Sequence, residues 1–223
     1  MFKRNFNVQT LSLIISFILI NSAVYSQVSH TVNFSKVDLD ISTKTGENGI
    51  VYDQISLAGL NYNNQIGAPQ LPVKYVRLIV PSGVDAASVN IISKQTEKLN
   101  IPHKIYPVQY PIPTSIDYIK PQFVTPNNSI YQTEKTFPEE IVQIGHQGYF
   151  DGSTHIVSCV VYPLQYNPLT NELIFHSHIH FSLNMGSESK LKPVRVTSRK
   201  EENQKMYDAI LKQLVDNPAD IAS

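Results

Sequence analysis

Three histidines, His176, His178 and His180, alternate along the run Leu173-Ile174-Phe175-His176-Ser177-His178-Ile179-His180-Phe181-Ser182-Leu183. Period-two spacing places all three on one face of a strand. Imidazoles gathered on one face could bind zinc. Same-face neighbours along one strand are about 6.6 Å apart, however, and no cysteine flanks them. The expectation is therefore a solvated histidine face, with Phe175, Ile179 and Phe181 buried behind it and no metal site. Cys159 is the single cysteine. With His146 or His155 beside it, it could act as a thiolate nucleophile. It lies within Ile156-Val157-Ser158-Cys159-Val160-Val161, an apolar run that belongs in a core, so a buried and inert thiol is expected. The chain carries no Gly-x-Ser-x-Gly, phosphate-binding loop, dinucleotide fingerprint or His-Glu-x-x-His. No catalytic residue and no cofactor is expected.

The elements that must position these residues read as strands. Thr31–Ile41 alternates, with a phase slip near Lys36. Ile50–Leu57 follows a Gly-Glu-Asn-Gly turn. Val73–Val80 ends at Pro81-Ser82-Gly83, and Val84–Lys94, Ile141–Ile144, Thr154–Tyr162 and Leu173–Leu183 complete the series. Asn167-Pro168-Leu169-Thr170-Asn171 is a good tight-turn sequence and should join Ile156–Tyr162 to Leu173–Leu183 as a hairpin. Short strands punctuated by Pro and Gly predict an all-β fold, an antiparallel sandwich or barrel-like domain. Seven prolines fall between Pro102 and Pro138. Proline lacks the N–H that a central strand needs, so this stretch should be extended loop or edge, outside the core. Long loops in compact domains often carry function.

After Met185 the chain becomes small and polar, then helical. Ser198 and Glu201 fit a capping box. Met206, Tyr207, Ile210, Leu211, Leu214 and Val215 share one helical face, and Asn217-Pro218 should end the helix. Such a helix must pack on the β-domain or on a partner. Arg199-Lys200, together with Arg195, lies in an exposed polar segment where proteolysis concentrates, so these three are candidate processing points.

At the other end, Lys3 and Arg4 precede the apolar run Leu11–Ile20, and Val24 and Ser26 occupy the −3 and −1 positions of a cleavage between Ser26 and Gln27. This is the pattern of a secretory signal peptide. Ten helical residues rise about 15 Å against a hydrocarbon core of about 30 Å, too short to span a membrane. The expected organisation is a signal peptide over 1–26, a β-domain over 27–185, a linker over 186–200, and a helix with the start of a connection over 201–223. A secreted or cell-surface location follows, with no membrane attachment after the leader is removed.

Composition agrees. Of 223 residues 42% are hydrophobic, enough for a core, while only 16% are charged, and Lys+Arg equals Asp+Glu at 18 each. A balanced charge argues against nucleic acid as a partner. One cysteine excludes an intramolecular disulfide and cysteine-rich zinc modules.

Several segments together carry a resemblance. Gly67-Ala68-Pro69-Gln70-Leu71-Pro72 leads directly into Val73–Val80. Phe137-Pro138-Glu139-Glu140-Ile141 follows later, and then Tyr162-Pro163-Leu164-Gln165-Tyr166-Asn167-Pro168. In this order, from Val28 to Leu183, the chain resembles the propeptide of gingipain-type cysteine peptidases. The resemblance implies a β-sandwich that assists folding of a cysteine peptidase domain, in cis or in trans. It also implies that the sandwich keeps the peptidase latent and is removed at basic sites. In such propeptides a basic loop residue occupies the specificity pocket of the peptidase. The matching stretch here, Val108–Ile119, has no Lys or Arg. Thr114 falls near the expected place and Lys120 is the nearest base. A stand-alone secreted binding module is the alternative, and it predicts a tail packed on the sandwich.

Overall fold

The computed structural model describes residues 27–113, 119, 121–189, 191–194 and 199–221. The strands are β1 (Val28–Asn33), β2 (Leu39–Thr45), β3 (Val51–Leu57), β4 (Asn61–Tyr62), β5 (Pro72–Ile79), β6 (Val84–Asn100), β7 (Val142–Phe150), β8 (Thr154–Val161), β9 (Leu164–Asn167) and β10 (Glu172–Glu188). Helix α1 covers Asn128–Tyr131, and α2 covers Glu201–Leu214 near the end of the chain.

One sheet runs β1-β10-β6, with β9 also on β10. A second runs β4-β5-β8-β7, and β2 and β3 form a separate pair. The strand pairings are antiparallel. β10 is the spine of its sheet. It pairs with β6 along most of its length on one edge. On the other edge β9 covers Glu172–Phe175 and β1 covers His178–Leu183. A bulge at Ser177 falls between those two partners.

Alternation buries one face of each sheet. Val32 of β1, Val76 and Leu78 of β5, Val157, Cys159 and Val161 of β8, and Ile179 and Phe181 of β10 form one apolar cluster. Ile55 of β3, Leu71, Ile105, Tyr131, Leu164, Tyr166, Leu173 and Phe175 form the other. β10 supplies side chains to both. Each large side chain so buried stabilises the fold by about 1.5–3 kcal/mol.

The all-β reading with a C-terminal helix holds, and several details change. Thr31–Ile41 is two strands, because Lys36–Asp38 forms a 3-10 turn at the phase slip. Ser35 caps that turn by accepting from the Val37 N–H at 3.3 Å. The turn at Asn167–Asn171 joins β9, not β8, to β10. The chain changes sheets at Tyr162-Pro163, where proline cannot continue the β8 ladder. The proline-rich stretch is largely irregular but not outside the core, since Ile105 and Tyr131 are fully buried. α2 starts at Glu201 with Lys200 as its N-cap and no side-chain cap bond, not at a Ser198 cap. Its acidic Glu201 and Glu202 suit the helix N-terminus instead.

Candidate functional site

The site begins with the backbone that leads into the proline-rich stretch. Asp53 of β3 is buried and accepts from the His103 backbone N–H at 2.8 Å and from His103 Nδ1 at 3.0 Å. The Asp53 carbonyl accepts from the Tyr106 N–H at 2.8 Å. Next to it, Gly67 adopts φ 79°, a conformation that suits glycine. The Gly67 N–H donates to the Val108 carbonyl, and its own carbonyl accepts from the Asn127 N–H, both at 2.9 Å. Asn63 holds the rest of that segment. It donates to the Pro69 carbonyl at 3.1 Å and accepts from the Leu71 N–H at 2.8 Å.

Above this frame the chain leaves the sandwich as a loop with a clamped base. Gln109 Nε2 donates to the carbonyls of Pro107 and Val124, both at 2.9 Å, and Gln109 Oε1 accepts from the Val124 N–H at 2.8 Å. Tyr52, Tyr106 and Phe123 pack ring against ring beneath it, with centroids 5.8–6.5 Å apart. The Lys44 ammonium lies 4.2 Å from the Tyr106 ring centroid. Beyond the clamp Tyr110, Ile112 and Ile119 are exposed. Thr114 and Lys120, the loop residues singled out by sequence, lie outside the described residues.

The second part of the site is the tail. Leu211 and Val215 are buried against the sandwich. Asp216 and Asn217 then close the edge of β5. Arg77 N–H donates to Asp216 Oδ2 and Ile79 N–H to Asn217 Oδ1, each at 2.8 Å. Met206 and Ile210 stay exposed, so the buried face is narrower than the apolar pattern suggests. At the start of α2 the Arg199 guanidinium lies 3.8 Å from the Tyr207 ring centroid and forms an ion pair with Asp151. Tyr207 stacks on Phe150 with centroids 5.5 Å apart, and its hydroxyl is 2.7 Å from Thr154 Oγ1. Lys200 is exposed. Arg195 and Ser26 lie outside the described residues, while the Gln27 amide donates to Ser182 Oγ at 2.6 Å.

The histidines separate. His178 and His180 are partly exposed, but His176 is fully buried, contrary to a solvated face. Phe137 pairs with Tyr166 of β9, which brings the Phe137-Pro138 segment to Gln165, the side-chain partner of the buried His176. Gln165 donates to the Pro138 carbonyl at 2.7 Å, which leaves its Oε1 to accept from His176 Nε2 at 3.1 Å. Burial, aided by the positive charge of Lys94, lowers the His176 pKa to about 4. Among the described residues no group of three or more His, Cys, Asp or Glu is placed to hold a metal. Cys159 is buried in the core, and burial raises its pKa to about 11, the opposite of an activated nucleophile.

Sequence reading missed Asp53, Asn63, Gln109, Asp151 and Tyr207 as organising residues. Asp151-Gly152 carried a signal, because both adopt positive φ in the β7–β8 turn and Asp-Gly is a common hairpin pair.

The sequence matches the Propeptide_C25 family over residues 15–215. The chain belongs to that family and is a propeptide domain, not a catalytic one. Lys-gingipain of Porphyromonas gingivalis is 23% identical over 188 residues, a match covering 83% of this chain and 10% of that protein. Lys-gingipain W83 matches to the same extent. The chain thus spans about a tenth of the length of these relatives. Among solved structures, a complex of Porphyromonas gingivalis RgpB pro- and mature domains superposes with a TM-score of 0.68. The sequences are 20% identical, and 89% of this chain and 95% of that one are covered. A structure addressing zymogenic latency of gingipain K, also from Porphyromonas gingivalis, gives 0.59 at 20% identity, covering 75% and 90%. Both show the same fold.

Proposed function

We propose that this chain is a secreted propeptide that keeps a gingipain-type cysteine peptidase latent, assists its folding, and is removed by proteolysis. The observation that carries this reading is the loop clamped by Gln109 and Val124. A loop rigid at its base and exposed beyond it can cover an active-site cleft without a large ordering cost on binding. In this reading Thr114 or Lys120 enters the specificity pocket and the sandwich holds the loop in place. Residues 1–26 direct export and are cut between Ser26 and Gln27. Arg195, Arg199 and Lys200 are the candidate processing points. The peptidase domain is the partner, in cis or in trans, and the exported protein is secreted or held at the cell surface.

One observation favours a second reading. The tail packs on the sandwich through Leu211 and Val215, as a stand-alone binding module would require. Two measurements decide between them. The first is the size of the native product, detected with an antibody against residues 28–183. A precursor well above 25.1 kDa that loses the peptidase part on maturation supports the propeptide. A single species near the size of this chain supports the module. The second is inhibition of a gingipain-type peptidase by the purified chain, and no inhibition at any concentration removes the latency role.

A further inference from the structure

We propose that Arg199 is a guarded cleavage point. While α2 lies on the sandwich, the Arg199–Lys200 bond is protected, and local release of α2 is the step that exposes it. The inference rests on the propeptide reading for its biological use, but its physical basis is independent of any peptidase partner.

A peptidase that cuts after arginine needs that side chain in its specificity pocket and several flanking residues extended in its cleft. Arg199 does not meet the first condition, and the helix that begins at Glu201 restricts the second. The Arg199 side chain is only 18% exposed, because the guanidinium lies on the Tyr207 ring and pairs with Asp151. Arg199 also reaches Ser153 Oγ at 3.4 Å. Tyr207 is fixed in turn by Phe150 and by Thr154 Oγ1 at 2.7 Å. On the other side of the bond Glu201 already begins the helix, and the Gln204 N–H donates to the Lys200 carbonyl at 3.0 Å. Lys200 itself is extended, and the main chain is helical from Glu201 onward, which limits how much of the primed side can enter a cleft.

The guard is also easily opened. α2 has 14 residues, yet Leu211 is the single buried one within it. A cleft of about 310 Å³ remains between the helix and the sandwich, lined by Val80, His155, Tyr207 and Leu211. Elements with few buried contacts open locally, at free energies well below that of global unfolding. Once α2 lifts, Arg199 can enter a specificity pocket. Hydrolysis then breaks the Arg199–Lys200 C–N bond, with water supplying hydroxyl to the new carboxyl group and a proton to the new amine.

The test uses the full exported chain and trypsin as the probe. Initial cleavage rates after Arg195, Arg199 and Lys200 are followed by mass spectrometry at low conversion. Asp151→Asn is the main variant, since asparagine keeps the positive φ of 49° and removes the charge. Tyr207→Ala removes the platform. The wild-type chain should be cut after Arg199 at least about tenfold more slowly than after Arg195. Each variant should raise the Arg199 rate by about tenfold and leave the Arg195 rate unchanged. Equal rates at Arg195 and Arg199 in the wild type would overturn the proposal, as would unchanged Arg199 rates in both variants. Hydrogen exchange on the wild type gives a second check that needs no variant. The amides of α2 should exchange as a group faster than those of β10, and equal protection of the two would show that release is not local. Inhibition of a peptidase is measured separately. A chain that inhibits nothing but guards Arg199 defeats the latency role alone, and one that inhibits while Arg199 is cut freely defeats the guard alone.

Discussion

Gln109 and Val124 are joined by two reciprocal hydrogen bonds, side-chain amide to main-chain carbonyl at 2.9 Å and main-chain N–H to side-chain oxygen at 2.8 Å. One side chain thus completes, across the base of the loop, what a strand pair would otherwise provide. Gln109→Ala removes both bonds together with the one to Pro107. It should lower stability by about 1–2 kcal/mol. Under the proposed latency role it should also weaken inhibition of a gingipain-type peptidase by about tenfold, because the loop must then be ordered on binding. Titration of peptidase activity checks this. Unchanged inhibition with a lowered melting temperature would show that the clamp serves the fold alone.

His176 should make the domain acid-sensitive. The unfolded chain takes up a proton on this ring near pH 6.5, while the folded chain does not until about pH 4. The unfolded state therefore binds more protons throughout that window. The stability conferred by the neutral ring is complete above pH 6.5 and is lost as the pH falls towards 4, by about 2–3 kcal/mol. Denaturant titrations at pH 7.5 and pH 4.5 measure the difference. His176→Asn should flatten that part of the profile, and an unaltered slope in the variant would assign the sensitivity to another group.

Asp53 should be costly to replace. Its carboxylate is buried and accepts from both the backbone and the ring of His103. Asp53→Ala strands the His103 N–H and should destabilise the domain by about 2–3 kcal/mol. Thermal unfolding reads this directly, and a loss under 0.5 kcal/mol, roughly the scale of a neutral surface change, would contradict the role given to it.

Cys159 should be unreactive in the folded chain. Its thiol is buried, with its pKa pushed up to about 11. Iodoacetamide at pH 8 should label the denatured chain and leave the native one untouched over the same time. Cys159→Ser should destabilise more than Cys159→Ala, because it buries a hydroxyl among apolar neighbours. Labelling of the native chain would mean that β8 opens to solvent.

What could be read from sequence followed from how local its cause is. β3, β5, β8 and β10 were evident because alternation of Val, Ile, Leu and Phe is set residue by residue. The partner of β10 at the Asn167–Asn171 turn was not, because the change of sheet at Tyr162-Pro163 depends on what packs on either side. The three histidines illustrate the same limit. Their shared face was legible, but His176 is buried beside Gln165, which is itself anchored to the Pro138 carbonyl of a segment distant in sequence. On the tail, the helix was evident and its docking was not. Tyr207 and Leu211 pack while Met206 and Ile210 remain exposed, a choice made by the surface of β7 and β8. The clamp at Gln109 left no sequence signal, since a glutamine beside prolines has no distinctive pattern.

The central place of β10 has a consequence for the order in which the domain assembles. β1 pairs with β10 from Val28 to Leu183, so the first strand waits for the last one. β6 likewise finds its partner only when residues 172–188 have been made. Contacts this far apart in sequence slow folding, because chain ends must meet before the contact repays the lost entropy. During synthesis, the strands made first therefore wait with open edges. Such edges aggregate unless something protects them. Lys94 and Lys98 on β6 supply the charge that discourages wrong pairing during that interval.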